Sequence, residues 1–223
     1  MTPTLQLLRR VEPVLIPLIN LAAALALSAL VVLAAGADPI EAMVVLARGA
    51  AGDGASLGYT LYYATNFILT GLAVALPFNA GIFNIGGEGQ AYIGGLLASL
   101  VCLFIGPAIG WPAIPIAILA AMAGGALWAL VPAWLFVARG SHVVITTIMF
   151  NFIASALMTF LLINVLMAPG QSSPESVAFP AAVWMPSLGA PLGPSPLNLT
   201  FPLALVLAAA ISIFLRLSRR GFE

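Results

Sequence analysis

The chain has 223 residues, 62% of them hydrophobic and only 6% charged, whereas a soluble domain carries about 25% charge and about half apolar residues, so a water-soluble globule is excluded. Seven arginines and no lysine balance seven acids at a net charge of zero, which leaves no basic tract for nucleic acid. One cysteine, Cys102, and one histidine, His142, exclude an intrachain disulfide and a multi-histidine metal site.

Arg9 and Arg10 precede an uncharged run from Pro13 to Ala37 that ends in Ala35-Gly36-Ala37, a cleavage-like sequence. The run is far longer than the ~7–15 residues of a signal-peptide core, so 13–35 is read as an uncleaved first span. Residues 36–56 mix Asp38, Glu41, Arg48 and Asp53 with Met43, Val44, Val45 and Leu46, a pattern that predicts a short amphipathic helix on the membrane surface. At about 20 residues per crossing, the remaining uncharged stretches predict spans at 57–77, 89–106, 113–137, 143–167 and 198–216. The turn between the third and fourth is expected at Gly106-Pro107, Gly110 and Trp111-Pro112. Residues 168–197, rich in Pro, Ser and Gly, read as an irregular loop or cap.

The expected fold is therefore all-α, a polytopic transmembrane helical bundle of about six spans forming a single domain over 1–223. Arginines flanking short loops stay on the cytoplasmic side. Six crossings place Arg9, Arg10, Arg139, Arg216, Arg219 and Arg220 together and leave only Arg48 opposite. Both termini are then cytoplasmic. The fourth span carries a stripe of small residues, Ala117, Ala121, Gly125, Ala129 and Ala133, each four positions from the last. Such a stripe lets a second helix approach closely, because association in lipid depends on packing.

Two polar segments stand out. Phe78 to Gln90 holds Asn79, Phe83, Asn84, Glu88 and Gln90 among four glycines, between two apolar helices. Glycine at this density interrupts a helix, and exposed backbone at membrane depth is tolerated only against protein or a water-filled path. Glu88 there reads as a pathway or gating residue. The plainer alternative is a solvated cytoplasmic turn, although a turn of about five residues would suffice. In the second segment, Ser141 to Asn151, Thr147 and Asn151 lie four apart on one helix face. They read either as substrate contacts or as structural glue between helices.

At these two segments the chain resembles the permease subunits of bacterial ABC importers in the branched-chain amino acid and simple sugar group, and more closely their nucleoside-type branch. The family pattern A-G-x-F-N-I-G-x-E-G-Q is matched from Ala80 to Gln90, and G-x-[HN]-E-V-I-[ST]-T-I-M-x-N from Gly140 to Asn151, with Val143 where the family usually has an acid. The resemblance implies a bacterial inner-membrane importer for a small polar solute, a nucleoside or simple sugar. It implies an ABC ATPase, a second permease subunit and an extracytoplasmic substrate-binding protein as partners, beside the lipid bilayer. No G-x-x-x-x-G-K-[ST] occurs here, so ATP is expected on the separate ATPase, with no cofactor in this chain. Family permeases look longer, continuing past a G-F-E-like sequence into a segment that docks on the ATPase. By that likeness the chain is expected to be the N-terminal portion of a longer family domain. The rival readings are a secondary transporter or channel using Glu88 as an ion or proton site, and an intramembrane enzyme, for which a nucleophile–base pair is missing.

Overall fold

The computed structural model describes residues 3–189 and 192–217, with side chains from 15 onward. Expectations resting on Arg9, Arg10, Arg219, Arg220 and the closing 221–223 stretch lie outside that description. The helices are α1 (Pro3–Ala34), α2 (Pro39–Ala51), α3 (Gly54–Asn79), α4 (Gly87–Leu100), α5 (Gly106–Ile109), α6 (Ala113–Arg139), α7 (Val143–Leu161) and α8 (Thr200–Leu217). Wide π turns continue α4 at Val101–Ile105 and α7 at Leu162–Leu166. Among the described residues six helices are long and apolar enough to cross a bilayer: Leu15–Ala34, Gly54–Asn79, Gly87–Ile109, Ala113–Arg139, Val143–Leu166 and Thr200–Leu217. These are the six predicted spans. The chain divides into two compact units, Met1–Thr60 with Leu192–Ser195, and Leu61–Pro191 with Pro196–Glu223.

In the first unit, α1 stops where Gly36 takes a left-handed backbone, φ +79°, a conformation that costs glycine nothing. Asp38 then caps α2, its Oδ1 accepting from the Ile40 and Glu41 N–H groups at 2.7 and 3.4 Å, with Pro39 in the first turn where its missing donor does no harm. The amphipathic helix expected within 36–56 is thus α2. Asp53 repeats the device for α3, accepting from the Ser56 N–H at 2.8 Å. That backbone hydrogen bond, with a second from the Ser56 side chain, holds the Asp53 carboxyl below its ordinary value. The cap therefore acts fully above the unfolded carboxylate range and is lost as pH falls through the lower folded value. Thr60 ties the α2–α3 corner by donating to the Ala50 carbonyl at 2.7 Å.

The second unit is built on α4, which packs against α6 and α7. α4 and α6 are antiparallel and nearly touch. A Cβ placed on Gly94 would stand 2.8 Å from the Ala121 carbonyl oxygen, and one on Gly124 would stand 3.1 Å from the Ile93 carbonyl oxygen. Ala117 and Gly124 are buried in this seam, and Ala121, Gly125 and Ala129 are half-buried, while Ala133 is exposed. A spacing of four drifts around a helix of 3.6 residues per turn, so the contact face steps across to Gly124.

The third span differs from its expected end. The helix runs through Gly106-Pro107 to Ile109 and turns at Gly110, φ +65°. Proline lacks an N–H and crowds the carbonyl four residues back. The π turn, closed by the Gly106 N–H on the Val101 carbonyl, widens the helix just before it. The described residues of the 168–197 segment are irregular, with one short 3₁₀ turn among them at Ala181–Val183 and two isolated bridges, Met167 to Ser176 and Ser187 to Asn198.

The seam makes a paired prediction. Gly94→Ala should cost about 1–3 kcal/mol through overpacking. Gly95→Ala, whose added Cβ meets nothing within 4 Å, should stabilise α4 by about 0.5–1 kcal/mol. Thermal unfolding in detergent, followed by exposure of the half-buried Cys102 thiol to a fluorogenic reagent, measures both.

Candidate functional site

The two polar segments meet at Asn151. Its Oδ1 accepts from the Gly89 N–H at 2.9 Å, and its Nδ2 donates to the Ile85 carbonyl at 2.9 Å. One carboxamide thus satisfies a free donor in the first turn of α4 and a carbonyl in the turn that leads to it. Asn84 completes the turn, its Oδ1 accepting from the Gly86 N–H at 2.8 Å. The glycines are there for room as well as for backbone freedom. A Cβ on Gly89 would stand 2.9 Å from Trp128 Nε1 and 3.0 Å from Asn151 Oδ1, and one on Gly86 would stand 2.9 Å from Asn84 Oδ1 and 3.2 Å from the Thr147 Cβ.

These contacts fix the depth of the segment. Asn151 lies two turns inside α7, roughly 12 Å along the axis from its start at Val143. α3 continues past Pro77 to Asn79, and the chain reverses at Gly81, φ +74°. Ile82 lines a cavity with Phe136, Val137 and Val143, near the ends of α6 and α7. By Ile85 the chain has climbed to Asn151. The turn after α3 therefore rises inside the bundle before α4 begins, which accounts for its length.

Two cavities flank it. A cavity of about 700 Å³ is lined by Thr70, Val74, Phe83, Asn84, Glu88 and Tyr92 among others. The second, of about 230 Å³, is lined by Pro77, Ile82, Asn84, Gln90, Pro132 and Thr147 among others. Asn84 lines both. Among the residues singled out from the sequence, Phe83, Asn84 and Glu88 come together at the larger cavity, and Asn84, Gln90 and Thr147 at the smaller, with Ala129 and Ala133 on its wall. Glu88 is exposed, whereas Thr147 is buried, its hydroxyl donating to the Val143 carbonyl at 2.8 Å. Asn79 lines neither cavity: its Nδ2 turns back on the Ala75 carbonyl at 2.8 Å. Phe78 packs edge to face on Phe83, ring centres 6.1 Å apart.

Sequence reading passed over Thr70, Tyr92 and Trp128. Trp128 was within reach, because it follows Gly124 and Gly125 at the helical spacing that continues the small-residue face. Thr70 and Tyr92 had no signal of their own. Each sits in an apolar run, and only the packing of the segment against α3 and α4 brings them to one cavity.

The fold and the site define a polytopic helical membrane protein with polar groups gathered around a broken segment inside its bundle. Residues 56–223 match the family described as the permease component of the branched-chain amino acid transport system. The chain belongs to that family. It is similar to the guanosine ABC transporter permease protein NupP of Bacillus subtilis, with 34% identity over 220 residues, 97% of this chain and 62% of the relative. It also resembles the nucleoside ABC transporter permease protein NupB of Lactococcus lactis, 31% over 222 residues, covering 96% of the chain and 60% of the relative. The glucose ABC transporter permease protein TsgB13 of Haloferax volcanii shares 35% over 173 residues, 77% of the chain and 45% of the relative. The chain thus spans roughly three-fifths of the length of the two nucleoside relatives. No solved structure matches it.

Asn151→Ala should destabilise the protein by about 1–3 kcal/mol, since it leaves the N–H of the buried Gly89 without its acceptor. Gly89→Ala should cost about 1–3 kcal/mol through crowding. Gly87→Ala, with nothing within 4 Å of the added Cβ, should stay within about 0.5 kcal/mol of the parent. The same thiol-exposure melt ranks the three.

Proposed function

We propose that this chain is a membrane-spanning permease subunit of an ATP-driven importer for a nucleoside or simple sugar, and that the segment from Ile82 to Gln90 borders the solute path. The observation that carries this reading is the larger cavity, about 700 Å³, within the ~300–1,000 Å³ range of small-molecule sites. Its lining combines aromatic faces, Phe83 and Tyr92, with the hydrogen-bonding groups of Asn84, Thr70 and Glu88. A nucleoside offers a flat base for the first and a polar ribose for the second. The names of the relatives, which carry guanosine, nucleosides and glucose, support the same solute classes.

In this reading the permease moves its solute without covalent chemistry. ATP is held by a separate ATPase subunit, a second permease subunit completes the pore, and an extracytoplasmic binding protein delivers solute. The chain lies in a bacterial cytoplasmic membrane with both termini inside, so that Arg139 faces the cytoplasm and Asp53 and Glu175 face outward. Gln90, Thr147 and Asn151 support the path from behind, and Asn84, shared by both cavities, stands between them.

Orientation is tested by impermeant thiol labelling of Arg139→Cys, Asp53→Cys and Glu175→Cys in a Cys102→Ala background. Position 139 should label only from inside and the others only from outside. Labelling of 139 from outside overturns the topology. For the path, Glu88→Ala should lower ATP-dependent uptake of guanosine in sealed vesicles about tenfold or more while the amount of protein in the membrane changes little, since the exposed carboxylate lines the larger cavity and in this reading meets the solute or the water around it. Glu88→Gln separates charge from shape. Full uptake by both variants would return Glu88 to the role of a solvated turn residue, and uptake that follows a proton gradient without ATP would favour an ion-coupled carrier.

A further inference from the structure

Trp128 of α6 stands edge to face with Phe150 of α7, ring centres 5.5 Å apart. Its indole N–H is buried and has no hydrogen-bond partner. A donor left bare inside a helix bundle calls for an explanation, because nearly all buried polar groups are paired and lipid supplies no substitute for water. The surroundings offer one. The point beside Gly89 where a Cβ would sit is 2.9 Å from Trp128 Nε1 and 3.0 Å from Asn151 Oδ1. The two polar atoms flank the same glycine from α6 and α7. Asn151 Oδ1 has two lone pairs, and here one serves the Gly89 N–H.

We propose that Trp128 is a positioning residue for the broken segment: as Ile85–Gly89 shifts during transport, Asn151 Oδ1 passes from the Gly89 N–H to the Trp128 indole N–H. The second lone pair of that oxygen is open to the indole once the segment moves. This rests on the permease reading and adds a latch to it. The exchange releases the first turn of α4 from α7: Asn151 Oδ1 keeps a partner in both arrangements, and the Gly89 N–H, freed from it, is left to the solute path that the segment borders. Only glycine at 89 leaves the gap through which the indole and the carboxamide can meet.

The test uses the full-length protein in its assembled transporter, reconstituted in lipid, with Trp111, Trp134, Trp184 and any tryptophan outside these 223 residues replaced by Phe so that Trp128 is the only indole left; the other subunits are freed of tryptophan likewise. Its emission is read without nucleotide and then with magnesium and ATP, no solute being required. A hydrogen bond to the indole N–H moves emission to longer wavelength, so ATP should produce a red shift that Asn151→Ala abolishes. Separately, Trp128→Phe keeps an aromatic ring against Phe150 and removes the donor together with the rest of the indole. It should lower the maximal rate of guanosine uptake about tenfold and leave KM unchanged. A merely structural Trp128 would leave that rate near the parent's, and this result, or an emission indifferent to ATP, overturns the latch even if Asn151→Ala fails to assemble. A red shift with ATP in a complex that carries neither nucleosides nor sugars would instead overturn the solute assignment and leave the latch standing.

Discussion

Everything in the second unit depends on one constraint: a helix that begins inside a bundle leaves backbone donors that no lipid can satisfy. α4 begins at Gly87, two turns deep beside α7, and its N-cap residue, Gly86, has no side chain to turn back on it. The partners come from elsewhere in the chain. Asn84 Oδ1 accepts from the Gly86 N–H from two residues away, and Asn151 Oδ1 accepts from the Gly89 N–H from α7. A net hydrogen bond contributes only about 1 kcal/mol, but leaving such a group unpaired costs more than the bond itself contributes, and that asymmetry ties the turn to α7.

The glycine seam is the second half of the same arrangement. α4 can reach Asn151 only if α6 lets it approach, and Gly94 and Gly124 remove the side chains that would hold the two helices apart. In a bilayer the gain is contact rather than escape from water. The close approach also brings Trp128 onto Gly89. Packing and hydrogen bonding therefore converge on one glycine, the most constrained position of the segment.

Around that anchored point the turn itself touches little. Phe83 is half exposed and Glu88 is exposed, and both line the larger cavity. The family match begins at residue 56, close to where the second unit begins at Leu61. The helices α1 and α2 lie before it, although the similarity to NupP extends over nearly the whole chain.

Most of the architecture was legible without coordinates. Uncharged stretches long enough to cross a bilayer set the six spans, because burying a charge in lipid is costly, and the turn-forming Gly and Pro residues set their limits to within a few positions. The two motifs and the polar groups within them were equally visible. What the chain order alone left open was which of those groups meet. Asn79 and Asn84 read alike as amides in a glycine-rich turn, yet one folds back on its own helix and the other lines both cavities. Thr147 and Asn151 share a helix face and both meet the turn, but only Asn151 hydrogen-bonds it, because the depth at which α4 starts is decided by contacts with α6 and α7. Periodicity reports which way a residue faces along its own helix. How far a neighbouring helix is inset, and hence which residue stands opposite, is decided by packing between segments far apart in the chain.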